Sequence, residues 1–590
     1  MKIFKKDKTD SKSNIKKQNI SIYLISLVVI ILVNILVSLW FFRIDLTAEK
    51  RYSLSKSTKN IIKSLDDIVY FRVYLDGDIP PGFKRLSKEA RELLNEYSAY
   101  SDKIKYEFID PSANRDAKEL RAFYNELVKK GLQPTQLQDR KADGVKTQVL
   151  FPGAIVTYKQ KELPIQLLAT NINIPSEEVL NISIQNLEYN FTSTINKLTQ
   201  KNKARIAFTA GNGELELDEV ADITRDLQEF YHVERIEIDE QINALRNFEM
   251  DSITGNTLVW NKYDLLIIAK PSKPFSDKDK FIIDQYVMNG GSVLWMVDPV
   301  FASMDSLQGE PETIGIINDL NLDDMFFRYG IRMNTNLIQD MNALPIPIVT
   351  GKMGDKAQQQ FIPWYYFPII TPISDQNIQI DHPIVKNLNS IKTEFISTID
   401  TVGSHPLSKT ILLTSSRYTK IVQAPIIINL NILKVRPDER EFDKRYLPVA
   451  VLVEGEFKSL YEGRITHQMD TSSLIKFMSE GKEAKQIFIA DGDIIKNQID
   501  RRGPLPLGYD KYTQLDFGNK EFLMNCINYL VGDDDLIQVR SREIKLRLLD
   551  KTKMLKKKTT WQVYNILMPL MVVILMGGIL VYYRRRKYTK

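Results

Sequence analysis

Two long apolar runs, one near each end of the chain, constrain this sequence most. Ile20–Phe42 and Trp561–Tyr583 each extend for 23 residues without a charged side chain. A helix of that length spans about 30 Å of bilayer hydrocarbon, and the aromatic side chains at the edges of both runs are typical of the membrane interface. The sequence therefore predicts a transmembrane helix at each end.

Lysine content predicts how these helices are oriented. Residues 1–19 carry seven lysines, which places the N-terminal tail in the cytoplasm. Two spans then return the basic tail, residues 584–590, to the cytoplasm and leave the bulk of the chain in the periplasm, anchored in a bacterial inner membrane. The alternative for the first run is a cleaved signal peptide, but its length and the lack of a small-x-small cleavage site before Arg43 favour a retained anchor.

The net charge of +6 is concentrated in the two tails, which contribute +5 each and leave −4 for residues 20–583. The basic balance therefore gives no indication of nucleic-acid binding. The juxtamembrane segment 541–560 is also basic. It either lies on anionic lipid or docks against a membrane partner.

Composition places most of the chain in the globular class, with 43% hydrophobic and 26% charged residues. A length of 590 residues allows about three or four domains. The single cysteine, Cys526, excludes an internal disulfide, a cysteine-based metal site and a CxxC redox motif. The four histidines lie far apart in the sequence, which favours surface or core positions over metal ligation.

Residues 66–200, which follow a linker helix in residues 43–65, predict a small α/β domain. The expected order of elements is βαβαββα, which is the order of the thioredoxin fold, and the last element is a long helix over Ser176–Leu198. Because the catalytic cysteines of that fold are absent, a redox role is excluded and a scaffold role remains.

Arg205–Tyr231 opens a second α/β domain, residues 201–540, with a buried strand, a glycine turn and an amphipathic helix. Further apolar, β-branched strands alternate with helices, and this pattern predicts a parallel, doubly wound sheet. Residues 305–445 interrupt the pattern and predict a large insertion with its own small sheet. Within it, the proline-rich stretch Phe361–Pro372 is expected to be an irregular loop.

Polar residues at the ends of the predicted strands indicate a binding crevice at one edge of the second sheet. Glu214 is expected at a helix start, where it would complement the helix dipole and repel a phosphate. The acidic residues of the crevice either bind a cation together or cap the elements that follow them. The predicted crevice residues are Gly211, Asn212, Gly213, Glu214, Asp298, Asp491 and Asp493.

Motifs for catalysis and cofactor binding are missing from the sequence. The turn at Gly211 lacks the third glycine of a dinucleotide-binding fingerprint, and neither a GxxxxGK[ST] P-loop nor a GxSxG nucleophile elbow occurs. We therefore expect no catalytic residue and no bound cofactor, and the chain should not hydrolyse ATP by a P-loop.

An aromatic run, Trp364, Tyr365, Tyr366 and Phe367, lies in the insertion. Such side chains stack on sugar rings or dock protein partners, and they equally form small satellite cores under long loops. Trp364, Tyr365 and Tyr366 are therefore predicted partner contacts, with the satellite core as the alternative.

Several motifs together resemble the GldG family of gliding-motility-associated ABC transporter auxiliary proteins of Bacteroidota. The similarity covers nearly the whole chain. The motifs are RIDLTAEKRYSLS (43–55), SIQNLEYNF (183–191), FTAGNGE (208–214), LIIAKP (266–271), DKFIIDQYVMNGG (279–291), LDDMFFRYGIR (322–332) and VAVLVEGEF (449–457).

This resemblance implies a membrane-anchored, substrate-binding-like subunit that works with a separate ATPase and a separate permease in gliding motility and the associated secretion machinery. It also implies a glutamine amidotransferase-like fold, without its nucleophile, for the second domain. Asn212 stands where related sequences often have histidine, so a binding role of that histidine does not carry over. The alternatives are a periplasmic scaffold that binds glycan or a motility protein, and a degenerate hydrolase that uses Glu214, Asp298 and Asp491.

Overall fold

The computed structural model of the chain divides into two compact units, residues 1–542 and residues 543–590. The structure describes residues 20–34, 53–113, 116–141, 144–168, 176–199, 203–250, 257–307, 311–353, 356–371, 382–386, 388–403, 407–435, 437–464, 476–532 and 557–588.

Both predicted membrane segments contain helix. α1 is Ile20–Asn34, a short apolar helix, and residues 35–42 of the predicted first span lie outside the described residues. Within the described residues one helix, Lys558–Arg586, is long and apolar enough to cross a membrane. These helices fit a membrane-anchored protein. Most of the basic segment 541–560 lies outside the described residues.

A small α/β domain follows α1. Its elements are α2 (Lys56–Lys63), β1 (Val69–Val73), α3 (Pro81–Tyr100), β2 (Ile104–Phe108), α4 (Ala117–Lys129), β3 (Thr135–Lys141), β4 (Gly144–Leu150), β5 (Gly153–Tyr158), β6 (Lys161–Gln166), α5 (Ser176–Gln185) and α6 (Leu187–Thr199). The main sheet has the order β2-β1-β5-β6, in which β1 is parallel to β2 and antiparallel to β5. Two features differ from prediction: Asn186 divides the expected long helix into α5 and α6, and the hairpin β3–β4 is additional.

A buried aromatic core holds this sheet to its helices. Phe71 of β1 packs edge-on against Phe191 of α6, with ring centroids 5.3 Å apart. Tyr97 of α3 is fully buried, and its hydroxyl shares a 2.6 Å hydrogen bond with the Thr192 hydroxyl. Polar groups that would be costly to bury alone are therefore paired within the core.

The second domain is built on one seven-stranded sheet. Its strands and helices are β7 (Arg205–Ala210), α7 (Ala221–Phe230), β8 (His232–Glu237), β11 (Leu265–Ala269), α8 (Asp277–Met288), β12 (Ser292–Met296), α9 (Asp323–Arg328), β21 (Ser408–Thr414), β24 (Pro448–Lys458), β25 (Glu480–Ile489) and α10 (Asn519–Val531). A hairpin of β9 (Arg246–Met250) and β10 (Thr257–Asn261) lies between β8 and β11 in the chain.

The strand order of this sheet is β21-β24-β25-β12-β11-β7-β8. The five strands from β25 to β8 are mutually parallel, as predicted. The other two correct the prediction of an all-parallel sheet, because β24 is antiparallel to β25 and β21 is antiparallel to β24. Antiparallel neighbours need no helical crossover between them. The strands at this end of the sheet therefore do not alternate with helices along the chain.

Helices cover both faces of the sheet. Alternate residues of the central strands point to opposite sides, so that Ile267 of β11 packs in the cluster with α7 and α10 while Ile268 packs with α8 and α9. All five residues of β11 and of β12 are buried, which explains why nine of the ten are apolar and only Ser292 is polar. This layering leaves the two ends of the strands as the places where polar groups gather.

The chain between β12 and β24 forms several small sheets rather than one. These contain β13 (Val300–Phe301), β14 (Glu312–Ile317), β15 (Ile331–Met333), β16 (Asn336–Asp340), β17 (Ala343–Met353), β18 (Lys356–Ile370), β19 (Ile391–Lys392), β20 (Ile399–Thr401), β22 (Thr419–Gln423) and β23 (Ile426–Asn429). They pair as β13-β14-β23, β15-β20, β16-β22 and β17-β18-β19.

The prediction of an irregular loop at Phe361–Pro372 is wrong, because most of that stretch belongs to the strand β18. Proline usually argues against a paired strand because it lacks the N–H group. Here Pro345 of β17 stands directly opposite Pro363 of β18. An antiparallel ladder alternates hydrogen-bonded and non-hydrogen-bonded pairs, and two facing prolines fit a position of the second kind.

Candidate functional site

The predicted crevice residues lie at the carboxyl ends of the parallel strands. From β7 the chain adds β8 on one side and later β11 on the other, so the strand order reverses between β7 and β11. Ligands of open α/β sheets commonly bind outside such a point. The loops that follow β7 and β11 are therefore the expected location of a ligand site.

Those two loops are hydrogen-bonded to each other. The backbone N–H groups of Ser272 and Lys273 donate to the Asn212 carbonyl at 2.9 and 2.8 Å, and the Ser272 hydroxyl donates to the Gly213 carbonyl at 2.9 Å. Gly213 has a φ of +72°, and an added Cβ would stand 2.2 Å from the Ser272 hydroxyl. The glycine turn thus closes on the next loop, which leaves no room for a cofactor phosphate between them.

Glu214 is buried at this turn, but it does not begin the helix as predicted. The helical turn starts at Leu217, where the Glu216 N–H donates to the Glu219 side chain at 2.9 Å. Those two glutamates occupy the N-terminal positions that were expected for Glu214. Glu214 Oε2 instead accepts from the Asn212 N–H at 2.7 Å, and Oε1 has no hydrogen-bond partner among the described residues.

Asp298, Asp491 and Asp493 come together as one cluster, with carboxylate oxygens within 4.8 Å of one another. The Lys270 ammonium lies among them, 3.3 Å from Asp298 Oδ2 and in contact with Asp493 Oδ2. We call these four residues the aspartate–lysine cluster. The four come from the ends of β11, β12 and β25, because neighbouring parallel strands end at the same edge of a sheet.

Backbone groups satisfy the same carboxylates. Asp298 Oδ1 accepts from the Gly492 N–H, while Asp491 accepts from the Glu394 N–H at 3.0 Å and from the Asp493 N–H at 2.8 Å. These contacts are those expected of carboxylates that fix turns and loops. They favour the capping alternative over the cation alternative, since Lys270 already supplies the positive charge that a cation would bring.

Burial controls the electrostatics of the cluster. Asp491 is fully buried and Asp298 is 6% exposed. Burial raises the pKa of Asp298 to about 6 against the pull of Lys270, and burial together with the neighbouring aspartates raises the pKa of Asp491 well above its usual value. These two carboxyls are too enclosed to meet a bulky substrate.

A pH dependence follows from Asp298. Below its ordinary pKa of 3.8 the Asp298 carboxyl is protonated in both the folded and the unfolded chain. Between that pH and about 6 this carboxyl ionises only in the unfolded chain, so the folded state loses stability as the pH rises. Relative to the Asp298→Asn variant, the wild-type chain should lose about 2 kcal/mol of unfolding free energy between pH 4 and pH 7. Urea unfolding at both pH values measures this, with exposed Asp319→Asn as the control. Parallel pH curves for wild type and Asp298→Asn would contradict it.

Gly492 is required by the close approach of Lys270. A Cβ at this position would lie 2.5 Å from Lys270 Cγ and 3.0 Å from its backbone Cα. The Gly492→Ala variant should therefore lose about 1–3 kcal/mol through overpacking, measured by urea unfolding. Gly403→Ala is the comparison, because no atom lies within 4 Å of its Cβ and only the cost of a φ of +81° applies. Equal stability of Gly492→Ala and wild type would show that the lysine is not held there.

The three predicted partner contacts differ in exposure. Trp364 is fully buried and Tyr366 is 3% exposed, in a core that includes Val300 and Leu337. Tyr365 is half-buried, and its ring lies 5.9 Å from that of Phe442. Burial favours the satellite-core alternative for Trp364 and Tyr366, and it leaves Tyr365 as the one member of the trio able to meet a partner.

Sequence reasoning missed Lys270. It follows β11 directly, in the motif LIIAKP, at the same sheet edge as the aspartates. The rule that gathered the aspartates applies equally to a lysine at a strand end. The signal was therefore present, although a single lysine after a strand is ordinarily a solvated residue.

Comparisons with known proteins cover both domains. Residues 203–526 match the family described as an ABC-type uncharacterized transport system, and residues 48–157 match a domain family of unknown function. An uncharacterized protein of Borreliella burgdorferi (strain B31) is 22% identical over 582 residues, which is 95% of this chain and 97% of that protein. The solved structure of the mmIFT52 N-terminal domain is 12% identical, and the match covers 56% of this chain and 98% of that one with a TM-score of 0.29.

Proposed function

This chain belongs to the ABC-type uncharacterized transport system family, and we propose that it is a non-catalytic, membrane-anchored auxiliary subunit, substrate-binding-like, of an ABC transporter complex. The observation that carries the proposal is the family match over residues 203–526, which span most of the second domain. The long apolar helix Lys558–Arg586 supports the membrane anchor.

The state of the cluster supports a non-catalytic role. Lys270 forms ion pairs with Asp298 and Asp493, two of the three aspartates are buried, and the glycine turn is hydrogen-bonded to the loop after β11. A hydrolase that used Glu214, Asp298 and Asp491 would need them at the surface of an open site. With no P-loop in the sequence, ATP hydrolysis in such a complex falls to a separate ATPase subunit, and transport to a separate permease.

The finer parts of the proposal rest on the sequence resemblance. We propose a GldG-like subunit linked to gliding motility and its secretion machinery. Both termini would be cytoplasmic and the α/β domains periplasmic. The strand order β2-β1-β5-β6 supports a thioredoxin-like small domain, and the helix-covered, mostly parallel sheet supports an amidotransferase-like second domain.

Purification through this subunit tests the central proposal. The full chain, tagged and extracted from membranes in mild detergent, should bring with it a P-loop ATPase and a multi-span permease identified by mass spectrometry. A reporter that carries only residues 557–590 is the control for capture through the membrane helix. Isolation of the full chain without either subunit, even after cross-linking in the cell, would overturn the proposal and favour a periplasmic scaffold.

Green fluorescent protein fused to either terminus tests the orientation, because this reporter does not fluoresce when it is exported through the general secretion route. Both fusions should fluoresce if both termini are cytoplasmic. A dark N-terminal fusion together with a bright C-terminal fusion would show that the first apolar run does not span the membrane.

A further inference from the structure

A cavity in the second domain, separate from the predicted crevice, has the features of a ligand site. It has a volume of about 770 Å³, which is within the usual range for small-molecule pockets. α9, the end of β15 with the residues after it, the residue Gly403 and the segment 460–464 line it. None of its lining residues belongs to the aspartate–lysine cluster.

Apolar side chains form one part of the lining. Phe326, Met333 and Leu460 are buried at 2%, 8% and 5% exposure, while Phe327 beside them is 61% exposed. A single exposed aromatic ring is common on a protein surface, and what distinguishes Phe327 is that its ring lies at the cavity beside three buried apolar side chains. The cavity therefore offers an apolar wall with one open aromatic ring.

Three of the six charged residues of the lining are already paired. The Arg328 guanidinium contacts the Glu462 carboxylate and donates from Nε to the Ser459 carbonyl at 3.1 Å. Asp324 accepts from the Lys280 ammonium at 2.6 Å. These pairs stabilise the walls and leave little charge for a ligand to meet.

Two arginines remain. Arg332 and Arg464 are both exposed, both line the cavity, and neither makes an ion pair within the part of the chain that the structure describes. The remaining acid, Asp323, forms no ion pair there either; burial and the neighbours Asp319 and Asp324 raise its pKa, although Lys280 and Arg332 oppose the shift. Because Lys280, from outside the lining, pairs with Asp324, the unpaired groups are two arginines against one aspartate, which leaves one positive charge.

We propose that this cavity binds a small organic anion, with its carboxylate or phosphate on Arg332 and Arg464 and its apolar part on Phe327. Guanidinium groups match both acids through paired N–H donors. The site goes beyond the proposed subunit role, because it assigns a ligand class to a cavity formed by other residues than the predicted crevice.

Ligand-observed fluorine NMR on the full-length chain in detergent tests this. The probes are 4-fluorobenzoate and 4-fluorophenyl phosphate, and neutral 4-fluorobenzyl alcohol reports partition into micelles. The fluorine signal of at least one anion should broaden more than that of the alcohol. The anion that binds more tightly identifies the acid group that the cavity prefers. The Arg332→Gln/Arg464→Gln double variant should weaken that affinity about tenfold or more, since charged hydrogen bonds are lost.

Two single variants complete the test. Phe327→Ser should weaken the binding of both anions while leaving the arginines in place. Arg440 is an exposed arginine outside the cavity, and Arg440→Gln should bind the anions as the wild type does. Circular dichroism melting confirms that each variant is folded. Equal broadening by the alcohol and the anions, or unchanged affinity in the double arginine variant, would overturn the site.

Discussion

Replacement of Lys270 by alanine is expected to cost about 3–5 kcal/mol of unfolding free energy, because it leaves buried carboxylates without their positive partner. The Lys270 ammonium is 3.3 Å from Asp298 Oδ2 and also contacts Asp493. Lys270 has a φ of +54°, which costs a lysine and an alanine about the same, so the Lys270→Ala variant measures the loss of the side-chain contacts. Urea unfolding of the full chain in detergent, followed by tryptophan fluorescence, measures the change.

Two comparisons sharpen this result. Lys273→Ala removes an exposed lysine from the same loop and should change stability little. The double variant Lys270→Ala/Asp493→Asn should recover part of the loss, since one unpaired charge has gone. A Lys270→Ala chain within about 1 kcal/mol of wild type would show that the aspartates do not depend on this lysine.

Replacement of Trp364 by alanine should also cost about 3–5 kcal/mol, as for other fully buried large side chains. Its ring packs 5.3 Å from that of Tyr366 in a closed core. The indole N–H has no hydrogen-bond partner among the described residues. Trp364→Phe should therefore lose much less than Trp364→Ala, because no buried hydrogen bond is broken. The same unfolding measurement, made on both variants, tests this difference.

Tyr365→Ala is the matched neighbour, since it is half-buried and should cost far less stability. Co-purification of the other transporter subunits, measured on the same variants, separates the core role from the partner role. A Trp364→Ala chain that unfolds like wild type but fails to assemble would restore Trp364 as a partner contact.

Local patterns predicted those parts of the fold that depend on local chemistry. The buried strand and the amphipathic helix of Arg205–Tyr231 follow from a short apolar run and from apolar residues at helical spacing. Asp298 and Asp491 were expected at one edge because parallel strands end together, and the structure places them there. Their role in binding a ligand stays a prediction.

The remaining features depend on pairings that no local pattern reveals. β18 pairs with β17, the strand before it in the chain, and this ladder accommodates Pro363 because Pro345 stands opposite it, which the proline content of β18 alone does not show. Trp364 is buried because of which face of β18 meets the core. Lys270 joins the aspartates only once β11, β12 and β25 are neighbours in the sheet.

Electron cryomicroscopy of the particle purified through this chain tests most directly whether it is an auxiliary subunit of an ABC transporter complex. We predict a complex in which a separate P-loop ATPase and a multi-span permease accompany this subunit, whose 203–532 domain contacts no nucleotide. A particle that contains this chain alone, or nucleotide bound at the aspartate–lysine cluster, would contradict the proposed role.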